Sequence, residues 1–382
     1  MGPWPTRALL AAGLALGCAC GSGRAGTTAA GASDGGSVDA NAPQDDGGAP
    51  AVDAGAPEGA AAPGSEGGSS TDASSAVWRP FDDTSPWNTL VPVDAAADPD
   101  SGAMIADFAS IAGQTTIWIN IQQYSVPVYW VDSATTPMQT VSASVGGTGF
   151  RTGATSDSAS AGTGLAPIPS GAMPAAGTDK HLCIVDRNAE TEWGFWDAVD
   201  GTGGWTAGEA STMDLSGDGV RPPTNDTPWW AGQGPRACGY SLIAGLITTD
   251  EIMAGQIRHA LILAYPHIES RYYTPPASSA QGTTSEALPT RGIPCGGHLQ
   301  LDPTLDVTTL GLSPAGLAIA VALQQYGAFV GDFSGAVSLY ADESPTAQAY
   351  WDGGVLGNSA VSAIPLNRFR VLQLGAIYDN NN

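Results

Sequence analysis

The sequence predicts a mainly β domain of sandwich or jelly-roll type, with a few short helices that make it α+β by strict count. Three observations carry this. Apolar residues alternate over short runs, as in Ile117-Trp-Ile-Asn-Ile121, the two-residue period of a half-buried strand. Two apolar and aromatic runs, 182–185 and 193–196, bracket a polar bend at 186–191, the pattern of a β-hairpin. The 51 glycines and 28 prolines among 382 residues favour many turns between short elements over long helices.

The N-terminus reads as an export signal. Arg7 precedes a run of small apolar residues, 8–16, that ends at Gly17-Cys18; about 20 apolar residues are needed to span a bilayer, so a run this short is a signal-peptide core. A small residue before Cys18 resembles the lipobox of bacterial lipoproteins, although Ala15 and Leu16 depart from its usual order, and a plain secretory signal is the alternative. Residues 1–18 are assigned as a lipoprotein-type signal peptide. Residues 19–76 are Gly, Ala, Ser, Pro and Asp with almost nothing to bury, a composition that cannot offset chain entropy and makes a disordered tether. Residues 77–382 are long enough for one β-rich globular domain. The expected location is export, as an outer-membrane or cell-surface lipoprotein or a secreted protein, with membrane contact only through an N-terminal lipid.

Charge narrows the partners. Thirteen Lys and Arg against 37 Asp and Glu leave a formal net charge of −24, which repels phosphate backbones and excludes nucleic acid as a natural partner. Of the cysteines in the domain, Cys238 and Cys295 lie in Gly/Pro-rich loops and are the first choice for a disulfide; Cys183 sits inside an apolar strand and should be inert.

Taken in order, 79–88 (Arg-Pro-Phe-Asp-Asp-Thr-Ser-Pro-Trp-Asn) reads as a structural plug. A short helix is predicted over 104–112, a strand over 116–121, and an edge strand over 126–131 because Pro127 cannot donate to a ladder. Residues 141–164 are Ser/Gly/Thr-rich and read as a long surface loop. After the hairpin, Asp214, Asp218 and Arg221 share a tight loop whose Asp-x-Ser-x-Asp-Gly run lacks the closing glutamate of a calcium site. Thr249 is a cap for a short helix ending at Gly255; 257–264 is a buried strand led by Arg258 and His259, and 297–302 another strand. Residues 313–326 form the clearest helix, with Ser313 as cap, Pro314 in the first turn and Gly327 as its stop. Residues 329–335 and 336–340 are predicted as a last hairpin.

Several motifs occur as a set: Pro86-Trp-Asn88, Asp179-Lys-His181 with Ile184-Val-Asp186, Gly204-Trp-Thr-Ala-Gly208, Gly255-Gln-Ile-Arg-His-Ala-Leu261, and Tyr326-Gly327 before Asp332. Spanning most of 79–382, the set resembles a widespread family of secreted bacterial proteins of unassigned function. The resemblance implies an exported domain and no particular activity. Where relatives carry glutamate in the second hairpin arm this chain has Gly194, so a catalytic role at that position is hard to sustain.

Chemistry-bearing residues gather near strand ends. The candidates for catalysis are His259, Arg258, His181, Asp186, Asp332 and Tyr326; those for substrate binding are Trp193, Trp196, Asp197, Arg221 and His298. Two reactions suit them. In uronate elimination an arginine neutralises the sugar carboxylate while histidine or tyrosine abstracts a proton, roles open to Arg258, His259 and Tyr326. In glycoside hydrolysis two carboxylates flank the bond, drawn from Asp186, Asp197, Asp302 and Asp332. Structural readings stand beside each: Asp186 and Asp332 as turn formers, strand histidines as satisfied donors, Tyr326-Gly327 as a helix stop. Trp193 and Trp196 are three positions apart, so one can face the core and the other solvent. No metal or other cofactor is expected, since no His-x-x-x-His pair or zinc spacing occurs; Gly-x-Ser-x-Gly, P-loop and dinucleotide fingerprints are also absent. The expected function is an exported, surface-anchored, monomeric carbohydrate-active enzyme, a polysaccharide lyase or glycoside hydrolase, acting on an extracellular polysaccharide or cell-surface glycan. The alternative is a non-catalytic glycan- or surface-binding lipoprotein.

Overall fold

The run Leu182–Asp186 explains much of the architecture, because every residue in it is buried. Its alternate side chains serve two cores: Cys183 and Val185 join the main one, Leu182 and Ile184 a second. A strand covered on both faces has no need of polar alternation, hence its unbroken apolar text. The computed structural model describes residues 77–111, 116–146, 150, 162–223, 234–281 and 292–379. The segments predicted as export signal and tether lie outside the described residues, and the described residues, 77 onward, belong to one compact unit.

Numbered in chain order, the strands are β1 Trp118–Asn120, β2 Val128–Trp130, β3 Gln139–Gly146, β4 Gly162–Ala166, β5 Leu182–Asp186, β6 Thr191–Trp196, β7 Val199–Gly201, β8 Gly204–Asp214, β9 Leu261–Tyr265, β10 Glu269–Tyr273, β11 Pro294–Cys295, β12 His298–Leu301, β13 Ala328–Phe333, β14 Ser338–Tyr340, β15 Phe369–Val371 and β16 Tyr378–Asp379. The helices are α1 Ser101–Phe108, α2 Thr249–Ala254, α3 Pro314–Gln325 and α4 Pro345–Trp351. Among the described residues strand outweighs helix by 30% to 15%, and the fold is mainly β and sandwich-like with short helices. Among the described residues no helix is long and apolar enough to cross a membrane.

One sheet runs β2-β5-β6-β8-β3-β4, with β7 also on β8; a second runs β1-β14-β9-β13-β12-β15; a small third runs β11-β10-β16. Val128, Cys183, Val185 and Met213 of the first sheet share the main core with Leu261, Leu263, Val330 and Leu339 of the second. Each such Val or Leu, fully buried, contributes about 1.5–3 kcal/mol. The outer face of the first sheet is covered separately: Trp193, Phe195, Val141 and Ala207 pack with Phe150, whose ring meets Phe195 edge-on at 5.6 Å.

The hairpin predicted around 186–191 is present, with Leu182 opposite Phe195 and Asp186 opposite Thr191. The strand over 126–131 is an edge strand, and Cys238 and Cys295 are bonded. The plug reading of 79–88 also holds: Trp87 is buried against Tyr240 and Phe329, and Asn88 Nδ2 donates to the carbonyls of Pro80, Phe81 and Asp82.

Three expectations change. Residues 141–164 are not one surface loop: β3 and β4 pair antiparallel there, and Val141 and Ala143 are buried. Small and hydroxylated residues had hidden the strand period; residues 147–149 and 151–161 lie outside the described set. β13 and β14 do not form a hairpin with each other, because β9 lies between them, parallel to β13 and antiparallel to β14. The all-buried run Leu-Ile-Leu-Ala-Tyr of β9 needs a partner at each edge, and these two strands supply them. The cap of α2 is Thr248 and not Thr249, with Glu251 closing a capping box; the stretch 204–214, for which no element was predicted, is one eleven-residue strand.

Candidate functional site

Two departures from regular β geometry aim carboxyls at one place. Along β6 and β8, Phe195 pairs with Ala210 and Trp196 with Glu209. Ala207 and Ala210 both join the outer core, so the two-residue alternation slips across Gly208 and Glu209. Just past the end of the opposing strand, Asp197 takes a positive φ of 49°. A Cβ on Gly208 would meet the Trp196 ring at 2.6 Å; glycine lets the strand pass beneath the indole. On β13 the register against β9 shifts between Val330 and Asp332, a bulge of the kind that re-aims side chains. Gly331 is the extra residue, and a Cβ there would fall 2.0 Å from Ile262 Cδ1.

Between these strands a cavity of about 260 Å³ is lined by Asp179, His181, Trp196, Glu209, Pro235, Arg236, Gln281, Asp332 and Phe333, among others. The segment carrying Arg236 is held on the hairpin by Glu192, whose carboxylate accepts from the Leu242 and Ile243 N–H groups at 2.8 and 3.1 Å. Gly194 gives that segment room, since a Cβ there would meet Pro235 Cγ at 2.7 Å. The Cys238–Cys295 bond anchors the following turn, in which Gly239 N–H donates to the Arg236 carbonyl.

Arg236 is fully buried. Its Nη2 donates to the Leu242 carbonyl at 3.3 Å, and its guanidinium lies over the Tyr340 ring at 4.7 Å. Its Nη1 is 3.7 Å from Asp332 Oδ2, an ion pair without a hydrogen bond. Burial raises Asp332 to about 7; Arg236 opposes that rise, Asp179 adds to it, and bonds from the Phe333 N–H and the Tyr340 hydroxyl oppose it. Burial likewise raises Glu209 to about 8, against the pull of Arg221, and one oxygen of Glu209, Oε1, is buried with no partner among the described residues. Asp179 is raised by burial, with Arg236 pulling it down. His181 is lowered to about 3 by burial and then by Arg236, and its ring lies against the Ser125 and Pro235 carbonyls. Near neutrality Glu209 keeps its proton and Asp332 is close to half-ionised, beside one guanidinium and a neutral imidazole.

A second cavity, of about 500 Å³, shares Asp179 and Phe333 with the first and is also lined by Trp118, Tyr124 and Tyr340. Trp118, Tyr124, Phe333 and Trp196 are exposed aromatics around the two openings, flat apolar faces with polar edges.

Of the residues singled out from sequence, His181, Asp332 and Trp196 line the first cavity. Arg258 and His259 do not: Arg258 Nη2 donates to the Val77 carbonyl, and His259 Nε2 pairs with Glu251 Oε1 at 2.8 Å, both buried. As candidates for one catalytic set, Arg258 and His259 are therefore not brought into a cleft with His181. Asp186 makes an Asx-type turn, accepting from the N–H groups of Ser133, Asn188 and Ala189; burial works to raise it, but these bonds hold it at about 2. Tyr326 caps α3, and its carbonyl accepts from His298 Nε2 at 2.7 Å. His298 stacks on Phe329 and lines a separate apolar cavity with Pro275, Pro276 and Leu90. Trp193 is buried in the outer core while Trp196 is exposed on the other face, as their odd spacing requires. Asp197 pairs with Lys180 at 2.8 Å outside the cavity lining, and Asp302 with Arg368. Arg221 lies buried behind Glu209 and bonds Ser211 Oγ and the Thr212 carbonyl.

Glu209 and Arg236 were missed. Glu209 is the one charged residue in 204–213, and Arg236 stands two residues before a cysteine in a Gly/Pro loop; both are charges set in otherwise uncharged text. Among the described residues no group of three His, Cys, Asp or Glu is placed to hold a metal ion. No protein-family model matches the chain, and neither a curated protein nor a solved structure matches it, so the reading of the site rests on its own geometry.

Proposed function

We propose that this domain is a carbohydrate-active enzyme that cleaves a polysaccharide in the cavity around Arg236, with export and a lipid-anchored tether placing it against extracellular glycans. The observation that carries the reading is the grouping of Asp179, Glu209 and Asp332 in one cavity that adjoins an aromatic-lined cleft. Exposed aromatic faces suit the apolar faces of sugar rings, and carboxyls with displaced proton affinities suit acid–base work.

Hydrolysis is the first reading. Glu209, keeping its proton to about 8, has the character of the acid that protonates a leaving oxygen. Asp332, near 7, exchanges its proton around neutrality and suits the complementary base or nucleophile. Elimination is the second reading, favoured by Arg236 and by the Tyr340 hydroxyl bonded to Asp332. His181, at about 3, is a weak base in either scheme and serves as a neutral wall.

The test is a polysaccharide panel incubated with the full chain. New reducing ends without ultraviolet absorbance identify hydrolysis; unsaturated uronate absorbance identifies elimination. Glycan binding with no turnover, unaffected by Glu209→Gln, would sink the enzyme reading and support a binding lipoprotein.

A further inference from the structure

Arg236 has no finished structural task. A guanidinium carries five N–H donors and cannot shed its charge, and burying it without partners is unfavourable. Here one nitrogen makes a 3.3 Å bond to the Leu242 carbonyl, whereas Nε and Nη1 have no hydrogen-bond partner among the described residues. The nearest carboxylate oxygen, on Asp332, stands off at 3.7 Å. The other buried arginine of the region, Arg221, leaves its Nε unpaired but has bonds of 2.9 and 3.1 Å and feels two glutamates, Glu192 and Glu209. Only Arg236 lines the cavity.

We infer that the cavity is an anionic subsite in which Arg236 receives a substrate carboxylate, so that the glycan it serves contains uronic acid residues. This rests on the glycan reading above. A single carboxylate matches the site because Arg236 is the one cation among the described lining residues; a doubly charged phosphate would bring more negative charge than it can balance. Guanidinium–carboxylate pairing is the strong, directional form of such recognition.

The neighbouring carboxyls decide when the subsite works. Facing Arg236 are Asp332 of β13, Asp179 ahead of β5, the neutral ring of His181 and the phenol of Tyr340 on β14; Glu209 of β8 lines the same cavity, backed by Arg221. While protonated, Asp332 and Glu209 can donate to a bound anion. Once ionised they repel it, so uronate affinity falls as pH rises through about 7 and 8.

The experiment is calorimetric titration of the full chain with oligomers of galacturonate, glucuronate and mannuronate. Each is paired with the same oligomer after its carboxyls have been reduced to alcohols. One acidic oligomer should bind at least about tenfold more tightly than its reduced twin, with the advantage shrinking between about pH 6 and about pH 9. Arg236→Met should abolish that advantage and leave affinity for the reduced twin within about twofold. Since a buried arginine can matter to folding, the wild-type comparison of twins decides the matter alone. Parity of every pair, or absence of binding by all of them, overturns the inference. Cleavage of neutral glycans with parity would defeat the uronate assignment and leave the enzyme standing. Preference for an acidic oligomer that is never cleaved would do the reverse.

Discussion

Two regions of this molecule bury charge, and they finish the task differently. Around β9 the charges are closed upon one another: His259 Nε2 meets Glu251 at 2.8 Å, its Nδ1 lies 2.8 Å from the Ala260 carbonyl, and the second oxygen of Glu251 accepts from Thr248 N–H and Oγ. Around Arg236, itself just as buried, the carboxyls of Asp179, Glu209 and Asp332 are half-buried and the cluster is left open, with two guanidinium nitrogens and one Glu209 oxygen unpaired among the described residues. A satisfied buried pair fixes a helix to a strand and has nothing left to offer a ligand. An unsatisfied set at a cavity keeps its donors and acceptors for something else, which is why the second region is the candidate site.

The contrast can be broken most directly at the open cluster. Glu209→Gln and Asp332→Asn should each lower glycan cleavage about 10²- to 10⁴-fold, the range of a lost acid or base, with the thermal melt unchanged or raised, as seen by kinetics and calorimetry side by side. A melt that collapses with activity would make the cluster structural after all. At the closed pair the balance reverses. Glu251→Ala should cost about 3–5 kcal/mol of stability by denaturant titration, the usual penalty for breaking a buried ion pair, while kcat of the folded fraction stays the same.

A pH profile of stability separates the two regions further. Asp332 and Glu209 hold protons to about 7 and about 8, above the unfolded carboxylate values of about 4. Their contribution is therefore full at low pH and lost as pH rises through those folded values. His259 is also raised, burial opposing its charge but Glu251 prevailing; its contribution holds below about 6.5 and is lost as pH climbs through its folded value. Asp186, held at about 2, works the other way: its stabilisation is present above about 4 and disappears as pH falls through about 2. The double variant Glu209→Gln, Asp332→Asn should flatten the decline between about 4 and 8 in melting temperature and leave the acid limb intact. The smallest expected effect is at the rim. Trp196→Ala should raise KM roughly two- to tenfold with kcat little changed, the size of one aromatic contact of about 0.5–1.5 kcal/mol.

The fold was legible where a period ran unbroken. The arms of the β5–β6 hairpin, the capped helix at Ser313 and the disulfide between two loop cysteines could all be read from local text. It was not legible where small residues replaced that period, as in β3, β4 and β8, whose strand character comes from neighbours across the sheet. The site was partly legible. His181, Asp332 and Trp196 stood out as a scarce residue type, a charge beside glycine and an aromatic with the right parity. Glu209 and Arg236 did not, because they approach from segments far apart in sequence, joined by the clamp of Glu192 on Leu242 and Ile243. Arg258-His259 was attractive on paper for the reason it is inert in space: a charged pair leading a buried strand must be neutralised by something, and Glu251 does so.

The bulge at Gly331 makes the placement of Asp332 a matter of residue count as much as residue identity. Because the strand period is two, removing that one residue and closing the ladder would turn the next side chains to the opposite face. Every residue of the site would then still be encoded, but the aspartate and the phenylalanine after it would have exchanged sides. Length variation at this single position is thus a route by which the same sheet can gain or lose a working carboxyl, leaving the packing of β9 against β14 untouched.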